Sequence, residues 1–323
     1  MARVVVFGYH NVGVRCLKVL LAHGLDIPLV ITHDDSPGET IWFGSVARTA
    51  AEYGIPAIRP EDPAAPEIID RVAAARPDYI FSFYYRRILA PALLALAPRG
   101  ALNMHGSLLP KYRGRSPVNW AIIHGETETG ATLHYMGDKP DDGDIVAQTP
   151  VPILPDDIAG EVFVKVTVAA ELTLHRVLPA LLAGTAPRIR QDAAKSSYFG
   201  GRKANDGVID WSKSAIAIHN LVRAVAPPYP GARTLIDGHP ARVLRTRVLD
   251  SAAPPAVAPA FDIADGWIAV RCGEGGTLQV LELEIDGAIV SPAAFAPWRA
   301  AHGASVPGRI GPQEPAAAPD QND

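Results

Sequence analysis

The sequence predicts an α/β protein, a doubly wound parallel sheet followed by a smaller C-terminal β-barrel (OB-like) domain. Three observations carry this. At 323 residues the chain exceeds one ordinary compact domain. Much of it repeats a short β-branched run, a loop and an amphipathic helical stretch, the rhythm of parallel strands joined by crossover helices. Past residue 205 the texture changes to short strand-like runs punctuated by glycine and proline.

Taken in order, Val4 to Phe7 is a β-branched run that ends on Gly8 and leads into a helix over Val12 to Ala22. Ile27 to Thr32 precedes a helix over Ser45 to Tyr53, and Pro56 to Ile58 precedes one near Pro66 to Ala75. Tyr79 to Tyr84 and Ala101 to His105 read as strands separated by a helix over Ile88 to Ala97. Ala131 to Met136 and Ile145 to Val151 form a strand pair around the polar loop Gly137 to Asp144, and Asp156 and Asp157 offer a cap to a long helix reaching Leu182. This gives a first domain over 1–186 and a linker over 187–205. A β-rich domain then occupies 206–302, with a helix over Lys213 to Val225 and strands over Ala232 to Ile236, Ala241 to Leu249, Trp267 to Arg271 and Thr277 to Ile285. Residues 303–323 lack a periodic apolar face and are expected to be disordered.

Composition narrows the function. Lys and Arg total 30 against 34 Asp and Glu, a net charge of -4, so nothing draws the whole chain to nucleic acid or an anionic membrane. Cys16 and Cys272 are the only cysteines, too few for a disulfide framework or a cysteine-based zinc site. The opening strand-like run, without a signal peptide ahead of it, reads as cytoplasmic. The apolar stretch Ile88 to Pro98 is interrupted by Pro91 and falls short of the roughly 20 residues that span a bilayer, so no membrane insertion is expected.

Ligands of doubly wound sheets sit at the carboxyl ends of the strands, and the densest chemistry lies there. Asn103 and His105 are two positions apart at a strand end, so both point to one face. Gly106, Pro110 and Gly114 mark a loop past them that carries Lys111, Arg113 and Arg115. The acidic loop Gly137-Asp-Lys-Pro-Asp-Asp-Gly-Asp144 brings carboxylates, of which Asp141 is placed to hydrogen-bond the imidazole and set its tautomer. Nothing in the spacing matches a metal site, and none is expected.

Asn103-Met-His-Gly-Ser-Leu-Leu-Pro-Lys-Tyr-Arg-Gly114, with Asp141-Asp-Gly143 about thirty residues on, resembles the signature of the folate-dependent formyltransferases. The likeness extends to Tyr9-His10, Thr32-His-Asp-Asp-Ser-Pro-Gly-Glu39, Phe43-Gly-Ser-Val-Ala-Arg48, Phe81-Ser-Phe-Tyr-Tyr-Arg86, Gly125-Glu-Thr-Glu-Thr-Gly130 and Val222-Arg-Ala-Val225, and spans roughly residues 3 to 290. Within the family it resembles in particular the formyltransferase domain of the bifunctional polymyxin-resistance protein, which formylates UDP-4-amino-4-deoxy-L-arabinose. The resemblance implies a Rossmann-like catalytic domain, 10-formyltetrahydrofolate as formyl donor, a UDP-aminosugar acceptor and a place in lipid A modification. It implies Asn103, His105 and Asp141 as catalytic residues, and folate contacts at Arg87, Ile88, Leu89, Arg115, Gly137, Asp138, Lys139, Pro140 and Asp141.

Two alternatives compete. A methionyl-tRNA formyltransferase needs a cationic surface, yet the loop His33 to Thr40 is acidic and Arg245 and Arg247 read as one solvated strand face. An NAD-dependent dehydrogenase is the reading of Gly8-Tyr-His-Asn-Val-Gly13, but His10 stands where a dinucleotide fingerprint needs its middle glycine. For a sugar nucleotide, Arg202, Lys203 and Arg223 are candidates to meet the pyrophosphate. The sequence leaves the oligomeric state open.

Overall fold

A computed structural model describes residues 1–36, 40–137, 139–302 and 308–311. The expected folate residue Asp138, part of the acidic 33–40 loop and most of the tail fall outside them. The chain divides into two compact units. One comprises Met1–Pro117, Glu128–Pro152 and Phe163–Gly200; the other comprises Val118–Thr127, Ile153–Val162 and the described residues from Gly201 onward. The division is therefore not a single crossing, and much of the expected 187–205 linker belongs to the first unit.

In the first unit, β1 (Arg3–Gly8), β2 (Asp26–Ile31), β3 (Ala57–Ile58), β4 (Tyr79–Phe83) and β5 (Gly100–His105) pair in parallel. The helices α1 (His10–Ala22), α2 (Val46–Glu52), α3 (Pro66–Ala75) and the short α4 (Pro91–Leu94) connect them. After β6 (Arg113–Gly114) and α5 (Pro117–Ile123), the antiparallel strands β7 (Glu128–Tyr135) and β8 (Ile145–Pro152) complete a seven-stranded sheet of order β3-β2-β1-β4-β5-β7-β8. Val4, Val5, Val6 and Phe7 are all fully buried, as a central parallel strand covered on both faces requires. On one face Val5, Phe7, Leu29, Ile31 and Ile80 pack with Ile68, Val72 and Leu93 from α3 and α4.

Local chemistry moved two helix starts. The helix expected from Ile88 begins at Pro91, because the residue before a proline is driven out of the helical region and Ala90 has ψ 148°. The long helix α6 (Ala159–Ala183) starts past both Asp156 and Asp157. Asp157 turns back to accept from the Leu154 N–H at 2.6 Å, while Glu161 accepts from the Ile158 N–H at 3.0 Å, the N3 half of a capping box. By length and apolarity α6 alone among the described helices is suited to cross a bilayer, a feature the sequence reading passed over; half of its apolar window is buried in the protein.

In the segment expected to be a linker, Ile189 bridges Ile145 and β9 (Tyr198–Phe199) pairs with β6. The second unit carries α7 (Ala215–Val225), β10 (Ala232–Ile236), β11 (His239–Asp250), β12 (Ala260–Ala264), β13 (Trp267–Arg271), β14 (Thr277–Ile285), β15 (Ala288–Ile289), α8 (Pro292–Ala301) and β16 (Gly308–Gly311). The order β11-β10-β16-β12-β13-β14, with β14 pairing back to β11, closes a six-stranded antiparallel barrel. β16 lies in the stretch expected to be disordered; backbone pairing to β10 and β12 supplies what its sequence lacks in periodicity.

Candidate functional site

Asn103 and His105 stand at the carboxyl end of β5, and the antiparallel register of β7 sets His134 opposite Asn103 and Thr132 opposite His105. The loop after β5 is folded back onto this strand pair. The Thr132 hydroxyl donates to the Ser107 carbonyl at 2.6 Å and accepts from the Leu109 N–H at 3.2 Å, and Ser107 Oγ donates to the Lys111 carbonyl at 2.7 Å. The turn returns the Tyr112 carbonyl to within 2.7 Å of His105 Nε2. A carbonyl only accepts, so Nε2 carries hydrogen and Nδ1 is the basic nitrogen. It is this carbonyl, and not Asp141, that sets the tautomer.

Asp141 faces Nδ1 of His105 at 3.6 Å, an ion-pair distance beyond hydrogen-bond range. Its other oxygen accepts from the Gly114 N–H at 2.9 Å. Asn103 Nδ2 lies 3.2 Å from His134 Nε2 and 3.4 Å from Asp141 Oδ1. His134 Nδ1 donates to the Tyr135 carbonyl at 2.8 Å, so in the neutral ring Nε2 accepts from Asn103; protonated, it faces Asp141 Oδ1 at 3.4 Å. An amide, two imidazoles and one carboxylate thus converge at one strand end. Burial alone would raise the Asp141 carboxyl, but His105 first, then His134 and the Gly114 N–H, outweigh it and hold the group well below the usual carboxylate range.

Two glycines make this geometry possible. Gly114 has φ 96°, and a Cβ there would lie 2.0 Å from the Phe199 carbonyl oxygen; at Gly143 a Cβ would lie 1.9 Å from that of Tyr135. Asp141 itself takes φ 56°, so the inward turn lies at this residue and not only at the Asp142-Gly143 pair after it. Gln191 closes the arrangement. Its amide nitrogen donates to the carbonyls of Asp141 and Gly143, each at 2.8 Å, while its oxygen accepts from Arg113 Nε and Nη2 at 3.1 and 2.7 Å.

Sequence reading missed His134 and Gln191. His134 was legible in principle, because pairing the expected strands 101–105 and 131–136 sets it beside Asn103. Gln191 has no local signal. The other expected residues are placed less tightly. Arg115 donates to the Arg86 carbonyl at 3.3 Å, which joins it to the Arg87-Ile-Leu89 segment. In that segment Ile88 is 80% exposed and Leu89 is buried. Gly137, Lys139 and Pro140 are exposed beside Asp141.

His10 lies in the interior, and one expectation, that for Arg223, is corrected. His10 is buried among Phe43, Phe163 and Trp42, with ring centroids 3.8, 4.5 and 4.7 Å away, and burial, then Arg86, hold its pKa at about 3. Arg223 is 6% exposed, and its guanidinium is engaged by Asn220 Oδ1 and the Leu154 and Asp157 carbonyls, which leaves it a support of its own fold and not a pyrophosphate ligand.

Hydrogen-bond donors beside a basic nitrogen, at the carboxyl edge of a doubly wound sheet, are the parts that acyl transfer uses. A family model described as formyl transferase matches residues 2–178, and one described as formyl transferase, C-terminal domain, matches residues 202–297. The chain belongs to the formyl transferase family and is a formyltransferase. Among solved structures it is similar to the N-formyltransferase from Helicobacter canadensis in complex with folinic acid and dTDP-3-aminofucose, with 22% identity, a TM-score of 0.67, and coverage of 87% of this chain and 99% of that one. The sugar 3N-formyl transferase WlaRD, with dTDP and 5-N-formyl-THF, is 20% identical at a TM-score of 0.68, covering 86% and 97%. HypX from Aquifex aeolicus in complex with tetrahydrofolic acid is 15% identical at a TM-score of 0.61, covering 90% of this chain and 46% of that one.

Proposed function

We propose that this chain transfers a formyl group from 10-formyltetrahydrofolate to the 4-amino group of a UDP-aminosugar, UDP-4-amino-4-deoxy-L-arabinose, in the cytoplasm and in service of lipid A modification and polymyxin resistance. The observation that carries the reading is the convergence of Asn103, His105 and Asp141 in a formyl transferase chain. The folate and nucleotide-sugar ligands of the similar structures support the donor and acceptor classes.

The residues present suit a reduced folate. Ile88 offers an exposed apolar surface next to backbone groups of 87–89, and Arg115 is fastened to the same segment, a mixture suited to a flat heterocycle with amide-like edges. When bound, the folate supplies a formyl group on nitrogen that an amine attacks. Asn103 Nδ2 donates to the formyl oxygen as negative charge builds there. To do so it redirects one hydrogen from His134 or Asp141. His105 Nδ1 takes the proton of the attacking amine and passes it to the departing nitrogen, while Asp141 stabilises the resulting imidazolium. The Tyr112 carbonyl keeps the ring oriented throughout.

Side-by-side formylation of UDP-4-amino-4-deoxy-L-arabinose, a dTDP-aminosugar and methionyl-tRNA tests the acceptor. Turnover of the UDP-aminosugar above the other two is expected. Activity confined to the tRNA would overturn the reading.

A further inference from the structure

We propose that Gln191 is a positioning residue for formyl transfer, holding Asp141 against His105 and Asn103 through the backbone of residues 141–143, with Arg113 locking the orientation of its amide. The inference rests on the role assigned to Asp141 above. Gln191 is 9% exposed, and every polar valence of its amide is used: two N–H groups on two carbonyls of the acidic loop, and the oxygen on two guanidinium hydrogens. Flipping the amide would set its oxygen against two carbonyl oxygens and its nitrogen against a cation, so one orientation alone is tolerated.

The consequences reach the carboxylate by two routes. Gln191 holds the carbonyl of Asp141, a residue at φ 56° whose conformation is strained for an L-amino acid. It also fixes Arg113, whose successor Gly114 supplies the N–H bonded to the Asp141 carboxylate. Gln191 is anchored on both sides, by the Ile145 and Ile189 bridge at 2.8 and 2.9 Å and by the pairing of β9 with β6. The supposed linker therefore supplies a rigid support that sets where the carboxylate stands.

The test compares Gln191→Leu, Gln191→Glu, Arg113→Met and Asp141→Asn by kcat, KM for donor and acceptor, and thermal midpoint. Gln191→Leu is expected to lower kcat about ten- to a hundredfold, because small misplacement of a catalytic group carries penalties of that order. Its KM for the acceptor should stay within about threefold, since Gln191 does not touch the acceptor in this scheme. Gln191→Glu keeps a partner for Arg113 but opposes two carbonyls, and should lose at least as much. A purely structural role would lower yield and midpoint but leave kcat per folded molecule intact, and would overturn the proposal. If Gln191→Leu does not fold, Arg113→Met decides, with a smaller fall in kcat expected and an unchanged kcat contradicting. Asp141→Asn at wild-type rate would overturn the underlying reading of the site; Asp141→Asn inactive with fully active Gln191 variants would overturn the role of Gln191 alone.

Discussion

Asp141 combines a left-handed backbone with a largely buried carboxylate that faces Asn103, His105, His134 and the Gly114 N–H. Its carboxyl is held well below the ordinary 3.8 despite burial, chiefly by His105 and then by His134 and Gly114. A group whose folded pKa is depressed adds stability above its unfolded value and loses it as pH falls toward the folded one. In urea unfolding, the advantage of wild type over Asp141→Asn is therefore expected to shrink as pH falls from about 5 to about 3. A difference that stays constant over that interval would mean the carboxylate is not stabilised by its neighbours. Loss of the Asn103 donor should lower the rate about 100- to 1000-fold. Asn103→Ala with unaltered turnover would show that another group meets the developing charge.

At the scale of elements, the candidate catalytic edge depends on loops that fold back onto β5 and β7. Gly143→Ala would drive a methyl into the Tyr135 carbonyl, so the loop carrying Asp141 must shift. The expected outcome is a thermal midpoint several degrees lower together with reduced kcat, and an alanine variant matching wild type in both would show that the loop has room to spare. Much of this architecture was legible. The parallel strands announced themselves because both of their faces are buried, which makes the runs continuously apolar. Asn103 and His105 followed from alternation in one such strand. β12 was not legible, since only Phe261 of its five residues is buried and the rest carry no alternation. Gln191 was hidden for another reason: its partners lie 48 to 78 residues away, and no periodicity encodes a contact of that range.

Across the whole molecule, acid sensitivity should be governed by buried neutral histidines as well as by Asp141. Burial, followed by Arg86, holds His10 at about 3, and burial, Arg86 and Arg87 hold His33 at about 4, with Asp34 opposing. His33 Nε2 accepts from the Arg86 N–H at 3.0 Å, so protonation there would break a bond that shapes the segment leading to Arg87-Ile-Leu89. Because both folded values lie below the ordinary 6.5, the unfolded chain takes up protons first, and stability should fall as pH drops from about 6.5 toward about 3. His10→Asn, which tolerates the same left-handed backbone, should flatten that slope; an unchanged slope would show that His10 is not held neutral. The central claim is that a histidine and its amide and carboxylate companions move a formyl group onto a sugar amine. It is met most directly by mass-spectrometric measurement of N-formylated UDP-4-amino-4-deoxy-L-arabinose formed from 10-formyltetrahydrofolate by wild type and by His105→Ala. The account predicts product with wild type and a rate about 100- to 10000-fold lower with the folded variant. Near-equal rates for the two proteins, or no product with wild type, would contradict it.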